Sequence, residues 1–426
     1  MPKPNLSVPL TLITLGLCAG AAAPAPAQTA PSVLDGPVDL GALMEDAAER
    51  PAFSYPVEPN FNIPGLDGNS NLRIYGYSQF RYVANTRDTQ AEDNDFTHGF
   101  GFREVRLGAR GNLMTKNLTY YLQAAFDSGT SRLTDAWLRY DLKEQLGPGW
   151  AIRFGSFKSP FLYEELSSAT KQLLSERSVV DSYFQQGRAQ QIELQWKNDH
   201  FDAFLSFNDG WRNNLDNRYG NAWGVTARAG WLPIGTWKQH EDMQAWRGEE
   251  MMLAFGIAGH VQDGNPAFIS ATEERNRFLN DTRLAAWTVD AHFEVQGWSV
   301  YAAIMGEHDR PPESQGGGSR DGIGAMVQTG LFVTDNLQLV GRAEWATTDG
   351  DIGRPSGLES SQDEFAAVTF GAAYYFWGNN CKVIADVIVP LDEVGDVWTF
   401  TARGTLTDDA GESGQAALRV MWQWVF

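Results

Sequence analysis

From residue 71 onward, apolar and polar side chains alternate along the chain. In the segment 72–82, for example, Leu72 and Phe80 lie on one face while Arg73 and Gln79 lie on the other. Successive side chains of a β-strand point to opposite faces, so this pattern predicts strands with one apolar and one polar face. The alternation is equally clear in three other segments: 104–110, 191–197 and 287–294.

About sixteen such segments follow one another, and most have the length that crosses a bilayer at a tilt. They begin near residues 71, 100, 117, 132, 149, 189, 200, 221, 250, 284, 297, 321, 336, 365, 380 and 416. Short and long connections mostly alternate between them, which is typical of barrels with short turns at one end and long loops at the other. Two stretches depart from this rule. The stretch 232–249 is long where a short turn is expected, and 392–415 contains an alternating segment, 397–403, that predicts an extra hairpin.

The final segment, 418–426, is strongly aromatic on one face. Trp422, Trp424 and Phe426 share that face, while Arg419 lies on the other. Such a strand is typical of the one that closes a membrane barrel. We expect these three aromatic residues to form the signal for the barrel-assembly machinery. The alternative is an edge strand of a soluble protein.

The first 27 residues have the features of a secretory signal peptide. Lys3 supplies a positive start, 7–23 is apolar, and Ala25 and Ala27 give the small-x-small pattern, so we place the cut after Ala27. An exported protein of this kind is expected in the outer membrane.

We therefore divide the chain into a signal peptide (1–27), a periplasmic extension without alternation (28–70) and a barrel (71–426). After the signal, no run of about eighteen apolar residues follows, so no transmembrane helix is expected. If the mature protein lies in a membrane, a closed β-barrel is the fold that satisfies its backbone hydrogen bonds there.

Composition narrows the class of function. The formal net charge of −20 provides no basic patch for phosphates, which argues against nucleic-acid binding. The chain has 43 Gly, 15 Trp, 13 Tyr and 24 Phe, a composition that favours an all-β fold. Removal of the signal takes Cys18 and leaves Cys381 alone, and no Cys/His cluster has metal-ligand spacing, so no cofactor or metal is expected.

Four motifs resemble the phosphate- and pyrophosphate-selective porin family, the porin O and P family. They are FREVRLGARG at 102–111, LTDAWLRY at 133–140, RFGSFKSPF at 153–161 and ERSVV at 176–180. The resemblance implies a sixteen-stranded barrel, a homotrimer, and a third long loop folded into the lumen as a constriction. In that family, arginine ladders guide anions and a lysine cluster binds phosphate; no lysine cluster matches in this sequence.

The third long loop, 159–188, supports the inward fold through its own residues. A loop in free solvent gains little from apolar side chains, so we expect this one to pack against the barrel wall. A surface loop with a small core of its own is the alternative. The apolar anchors are Phe161, Leu162, Tyr163, Leu173 and Leu174.

Alternation also predicts which charged side chains point into the lumen, where a pore selects by its radius and its lining groups. Basic and acidic positions are about equally numerous, and many are expected to pair across neighbouring strands. Arginines near the constriction loop suit phosphate or carboxylate groups. We predict a pore-lining and constriction set of Arg106, Arg110, Arg139, Arg153, Lys158, Glu104, Asp135 and Asp141.

Together these patterns predict an outer-membrane porin for passive diffusion of small hydrophilic solutes or ions, with at most a mild preference for anions or phosphate. A non-conducting structural or adhesion barrel is the main alternative. An outer-membrane enzyme is disfavoured because no nucleophile-elbow motif occurs, and among the histidines His260 and His292 are the ones on predicted strands. A soluble secreted β protein is the remaining class. The expected partners are small solutes, outer-membrane lipid and further copies of the chain.

Overall fold

The computed structural model describes residues 61–87, 96–127, 129, 131–210, 223–263, 283–310, 319–348, 364–391, 394, 398 and 414–426. Within these residues, seventeen β-strands form one sheet. The predicted signal peptide, most of the predicted extension and nearly all of the predicted extra hairpin lie outside the described residues.

The strands are β1 (Phe61–Pro64), β2 (Asn71–Thr86), β3 (Phe96–Leu113), β4 (Thr115–Ala125), β5 (Arg132–Asp141), β6 (Ala151–Lys158), β7 (Arg188–Lys197), β8 (Phe201–Asn208), β9 (Trp223–Ile234), β10 (Met252–Asp263), β11 (Arg283–Val295), β12 (Trp298–Arg310), β13 (Arg320–Phe332), β14 (Leu337–Thr348), β15 (Glu364–Trp377), β16 (Cys381–Pro390) and β17 (Ala416–Val425).

Sixteen of these strands, β2 to β17, close into an antiparallel barrel. Each pairs with the next along the chain, and β17 pairs with β2 over a register that runs from Ala416↔Thr86 to Val425↔Tyr77. Closure removes the open sheet edges, whose unpaired backbone groups would be costly in lipid. The predicted all-β transmembrane barrel of about sixteen strands is confirmed.

The helical segments are short and lie in the connections. They are α1 (Lys143–Leu146), α2 (Tyr163–Leu166) and α3 (Val179–Phe184), with single 3-10 turns at Ala169–Lys171 and Gln239–Glu241. Among the described residues, no helix has the length and apolar character needed to span a membrane.

The two ends of the barrel differ in the length of their connections. At the turn end, β3 passes to β4 through Met114 alone, and β11 passes to β12 through Gln296 and Gly297. Met114 and Gln296 have φ values of 62° and 41°, the left-handed backbone that such tight hairpins use. At the loop end, the connections are longer and include 159–187. The longest connection at the turn end is 235–251, between β9 and β10, which includes most of the stretch that the sequence showed to be too long for a turn.

Strands β1 and β17 lie end to end along one edge of β2. β1 pairs with residues 71–74 of β2, and β17 pairs with residues 77–86. Between these two ladders, Gly76 and Phe426 exchange two backbone hydrogen bonds of 2.8 Å each. The end of the predicted extension therefore contributes a short strand beside the closure.

The barrel wall keeps the predicted alternation of faces. Large apolar side chains such as Leu107, Phe154 and Phe370 are exposed on the outside. Polar side chains such as Gln338 and Asp386 point inward and are buried. An apolar outer face with a polar interior is the arrangement that a barrel needs in a bilayer.

Candidate pore and constriction

The loop 159–187 folds back into the lumen and carries α2 and α3. Phe161, Leu173 and Val180 are at most 1% exposed, and they share one apolar cluster with inward side chains of β10 to β17 such as Met326. Removing this apolar surface from water stabilises the inward position of the loop. The prediction of a third loop packed inside the barrel is confirmed. All of its predicted anchors belong to the cluster: Phe161, Leu162, Tyr163, Leu173 and Leu174.

Buried ion pairs connect the loop to two separate parts of the barrel wall. Glu164 Oε1 lies 2.9 Å from Arg342 Nη2 on β14. Glu176 bridges Arg81 on β2 and Arg103 on β3, with N–O distances of 2.5 and 2.8 Å. Separating such pairs would leave uncompensated buried charge, so they hold a defined geometry. The loop is therefore tied to β14 and also to β2 and β3.

Glu344 on β14 caps the start of α3. Its Oε2 accepts hydrogen bonds from Ser178 Oγ at 2.6 Å and from the backbone N–H groups of Val179 and Val180 at 2.8 and 3.3 Å. The first N–H groups of a helix have no partner within it, and a carboxylate is favourable there. Glu344 thus fixes the N-terminal end of α3 to the barrel wall.

The turn 235–251 enters the lumen from the opposite end of the barrel and meets the loop. Met243 and Gln244 are fully buried. The Met243 N–H donates to Lys171 O at 3.2 Å, and Gln244 Nε2 donates to Gln172 O at 2.9 Å. The side of the lumen along β10 to β17 is therefore filled by two segments that come from opposite ends.

A cavity of about 480 Å³ remains on the other side of the loop, against β2 to β7. Its basic lining residues are Arg106, Arg110, Arg153, Lys158, Lys171, Arg177 and Arg188, and its acidic ones are Glu104, Asp135, Glu165 and Glu241. Aromatic side chains complete the wall. This cavity is the candidate pore.

Most of the predicted pore-lining set is brought together here: Glu104, Arg106, Arg110, Asp135, Arg153 and Lys158. Arg139 and Asp141 do not line the cavity, because they lie farther along β5 toward the turn end. Arg139 Nε donates to Gln195 Oε1 at 2.9 Å, and Asp141 Oδ1 accepts from the Lys143 N–H at 2.9 Å, next to α1.

The lining charges are largely paired between strands, as expected. Arg106 Nη1 lies 2.5 Å from Asp127 Oδ2, and Arg153 Nη2 lies 2.7 Å from Glu193 Oε1. Such pairs fix the guanidinium planes and lower their net field. The cavity therefore presents oriented arginines whose charge is partly compensated.

Three aromatic rings form a row along the same wall. The Tyr75 and Tyr121 ring centroids are 5.6 Å apart, and Tyr121 stacks on Trp137 at 5.2 Å with an interplanar angle of 9°. The Arg153 guanidinium then lies 3.8 Å from the centroid of Phe157. Stacked rings and cation–π contacts of this kind stiffen the wall. This row was not predicted, although the alternation places Tyr75, Tyr121 and Trp137 on the polar faces of their strands.

Three basic lining residues were also not predicted: Lys171 and Arg177 on the loop and Arg188 at the start of β7. Arg177 Nε is 3.3 Å from Glu165 Oε2, and Lys158 Nζ is 3.6 Å from Glu165 Oε1. Burial alone would raise the pKa of Glu165, but the charges of Arg177, Lys158 and Arg188 outweigh burial and lower it. Glu165 therefore stays ionised and offsets part of the positive charge around it.

The three aromatic residues of the final strand point outward, as predicted. The Trp422 ring lies 6.2 Å from that of Phe80, and Trp422, Trp424 and Phe426 are 39%, 41% and 53% exposed. A Cβ on Gly76 would lie 2.5 Å from Phe426 Cζ, so the Phe426 ring covers the glycine. Their role in assembly stays a prediction.

The family described as phosphate-selective porin O and P matches residues 75–265 of the chain. The resemblance drawn from the four sequence motifs is thereby confirmed. No curated protein matches the chain.

Solved structures of outer-membrane proteins share the fold. An anion-selective porin from Comamonas acidovorans is 13% identical with a TM-score of 0.56, and the match covers 84% of this chain and 100% of that one. The outer membrane channel DcaP of Acinetobacter baumannii is 10% identical with a TM-score of 0.55, covering 85% and 99%. OmpT of Vibrio cholerae, in a trimer form, is 12% identical with a TM-score of 0.54, covering 84% and 100%. The fold of the described strands is therefore that of these outer-membrane proteins, and the family match runs from β2 through β10.

Proposed function

We propose that this chain, which matches the phosphate-selective porin O and P family over residues 75–265, is a channel for passive diffusion of small hydrophilic solutes and ions, with a mild preference for anions. The observation that supports the proposal is the charge of the remaining cavity. Seven basic side chains and four acidic ones line it, in a chain whose formal net charge is −20. A lumen with this local excess favours anions, because lining charge sets ion preference.

The preference is expected to be mild because acidic groups share the same wall. Asp135 lies 2.9 Å from Arg188, and Glu104 lies 3.5 Å from Arg106. Lys158 and Lys171 are the lysines that line the described cavity. Because its basic groups are paired with carboxylates and it has two lysines, the cavity wall suits transient contact with an anion more than firm retention of phosphate.

The test is the reversal potential of the purified protein in a planar bilayer under a salt gradient. We expect a small anion-selective potential. The double substitution Arg106→Ala and Arg153→Ala should move it toward cation selectivity with the barrel still folded. Arg283→Ala is the matched control, because its side chain is 75% exposed and lies outside the cavity. Cation selectivity of the parent would overturn the preference, and strong anion selectivity blocked by phosphate would replace it with phosphate selectivity.

A non-conducting structural barrel is the second candidate. The observation that favours it is the lumen itself, since the loop 159–187 and the turn 235–251 fill the side along β10 to β17. Single-channel recording separates the two functions. Discrete current steps support the pore, and a folded barrel that inserts without steps supports the structural role.

We further infer a homotrimer that meets along β4 to β8. β6 and β8 have 8 residues each, whereas β9 to β15 have 12 to 14. A strand needs about 9–11 residues to cross a bilayer at a tilt. The part of the barrel wall with these short strands therefore suits contact with another copy more than contact with lipid. The Vibrio cholerae protein with the same fold also has a trimer form.

Crosslinking tests this interface in a Cys381→Ser background. Phe154→Cys on the outer face of β6 should give crosslinked oligomers with a short bifunctional reagent. Val289→Cys on the outer face of β11 has similar exposure, 48% against 42%, and should not. A monomer by light scattering in mild detergent would overturn the trimer.

We also propose that residues 1–27 are removed on export and that β17 is read by the assembly machinery. N-terminal sequencing of the mature protein should then begin at Gln28. An intact Met1 in outer-membrane fractions would contradict this cleavage.

A further inference from the structure

The row of aromatic rings in the candidate pore is accessible to a solute. Tyr121 on β4 and Trp137 on β5 are register partners, and their stacked rings continue toward Tyr75 on β2. All three side chains line the cavity of about 480 Å³ and are only half-buried, so part of each ring remains open to it. A volume of this size lies within the range of about 300–1,000 Å³ that small-molecule sites have.

Gln123 fixes two of these rings by their hydroxyl groups. Its Nε2 donates to the Tyr75 hydroxyl oxygen at 3.1 Å and to that of Tyr121 at 3.0 Å. Gln123 is itself buried on β4, between the two rings and the wall. Side chains that are already held in place lose little conformational freedom when a solute packs against them, which lowers the cost of binding.

Glycines beside the row keep other side chains away from it. The Tyr75 ring lies over Gly108, its register partner on β3, where an added Cβ would be 2.4 Å from Tyr75 Cζ. Gly155 is the register partner of Trp137 on β6 and likewise brings no side chain. A glycine inside a strand often marks a place where another group approaches closely. The rings therefore lie close to the wall, with room above them in the cavity.

An arginine stands at each end of the row. Arg110 Cζ lies 5.5 Å from the Tyr75 ring centroid, and Arg153 Cζ lies 5.5 Å from that of Trp137. Glu193 accepts from Arg153 Nη2 at 2.7 Å, whereas Arg153 Nε has no acceptor among the described residues. The Arg153 side chain is 20% exposed and that of Glu193 is 0% exposed, so the pair presents its cation to the cavity. A guanidinium group with donors to spare suits a carboxylate.

We propose that Tyr75, Tyr121, Trp137 and Arg153 form a binding site for aromatic carboxylates on their way through the pore. The ring of the solute packs against the open parts of the aromatic row, and its carboxylate accepts hydrogen bonds from Arg153. An inorganic anion uses the arginine but gains nothing from the rings, so the site favours aromatic anions over phosphate. Passage of the solute rests on the proposed channel function, whereas binding can be measured without it.

The test compares the binding of benzoate and cyclohexanecarboxylate to the purified protein in detergent at neutral pH. The two solutes have the same charge and a similar size, but only benzoate has a flat aromatic ring. Ligand-observed NMR titration measures both dissociation constants. Benzoate should bind about three- to tenfold more tightly, the range that an aromatic pair contributes beyond the burial of its surface. Equal dissociation constants would overturn the site.

Substitutions separate the role of the rings from that of the arginine. Tyr121→Leu should remove the preference for benzoate, whereas Tyr121→Phe keeps the ring and should keep the preference. Arg153→Gln should weaken the binding of both carboxylates alike, so that their ratio is unchanged. The matched control is Trp287→Leu, because Trp287 lies on the outer face of β11 with 46% exposure and should not affect either solute.

A preference for benzoate that survives Tyr121→Leu, or one that Trp287→Leu removes, would also overturn the site. The comparison of the two solutes on the parent protein decides the question even if a leucine variant does not fold. Single-channel recording separates this inference from the proposed function. Tighter binding of benzoate to a barrel without current steps keeps the site and removes the pore; current steps with equal binding of the two solutes do the reverse.

Discussion

Phe426 closes the barrel on Gly76. Each residue donates its backbone N–H to the carbonyl oxygen of the other at 2.8 Å, and the phenyl ring lies where a Gly76 side chain would be. The Phe426 ring, just beyond the end of β17, thus lies over Gly76 of β2, where the lack of a side chain leaves room for it. Glycine is required here by close approach rather than by backbone angles.

Gly76→Ala should therefore destabilise the folded barrel by about 1–3 kcal/mol, the usual cost of overpacking. The matched control is Gly341→Ala on β14, where the nearest atom to an added Cβ is 3.8 Å away. Urea unfolding in lipid vesicles measures both free energies. Since Phe426→Ala removes the obstructing ring, the double variant should lose less stability than the sum of the two single variants. Additive losses would show that the ring and the glycine do not interact.

The Glu176 bridge should decide whether the loop 159–187 stays in the lumen. Glu176→Gln leaves Arg81 and Arg103 buried without their shared carboxylate, and breaking a buried pair costs about 3–5 kcal/mol. We expect faster proteolysis within the loop and larger, noisier current steps. Glu144→Gln, an exposed carboxyl on α1, should change neither. A loop that remains resistant in Glu176→Gln would show that its apolar cluster suffices to hold it.

Acid should weaken the corner of the loop that contains Glu165. Its lowered pKa means that this carboxylate stabilises the fold fully above its ordinary value of 4.5 and that the contribution is lost as the pH falls below it. The difference in thermal midpoint between parent and Glu165→Gln should be largest near pH 6 and should shrink toward pH 3. A difference that stays constant over this range would rule out ionisation of Glu165 as its source.

Arginines on the filled side of the lumen should affect stability rather than ion preference. Arg228 lies between Asp290, 2.8 Å from its Nη1, and the Phe161 carbonyl, also at 2.8 Å. Arg228→Gln should cost about 3–5 kcal/mol of folding free energy, since it leaves Asp290 unpaired. The reversal potential of the Arg228→Gln variant should match that of the parent protein. A large shift in reversal potential would place Arg228 in the conducting path.

Much of the barrel could be predicted from the alternation of apolar and polar residues alone. The inward and outward faces of β17 and the strand positions were predicted because one face must meet lipid and the other the lumen, and a slip of one residue would exchange them. Alternation failed at Arg103, which lies next to the inward Glu104 and yet also points inward. A bulge opposite Gln79 and Phe80 inserts an extra residue there, and such irregularities leave no trace in the period.

The candidate pore was predicted less completely, for a related reason. The alternation of apolar and polar residues assigns a side chain to a face of the sheet but not to a position along the barrel axis. Arg139 and Asp141 were therefore grouped with the cavity residues, although they lie toward the turn end of the barrel. Arg177 belongs to a loop whose path depends on tertiary contacts such as Glu165, which no periodic pattern encodes. The stretch 232–249 was recognised as too long, but its inward fold depends on partners such as Phe332 and Gln172 that are distant in sequence.

The arrangement of the loop and the turn on one side of the lumen separates two kinds of mutation. Substitutions along β10 to β17 act on the apolar cluster and the buried ion pairs, so their effects fall on folding. Substitutions of the residues on β2 to β7 that line the cavity act on a surface of charges and rings, whereas Arg81 and Arg103 on β2 and β3 belong to the buried ion pairs. In proteins that descend from this chain, substitutions of the cavity lining on β2 to β7 are therefore expected to change the solute that passes. Substitutions along β10 to β17 are instead limited by selection for a stable barrel.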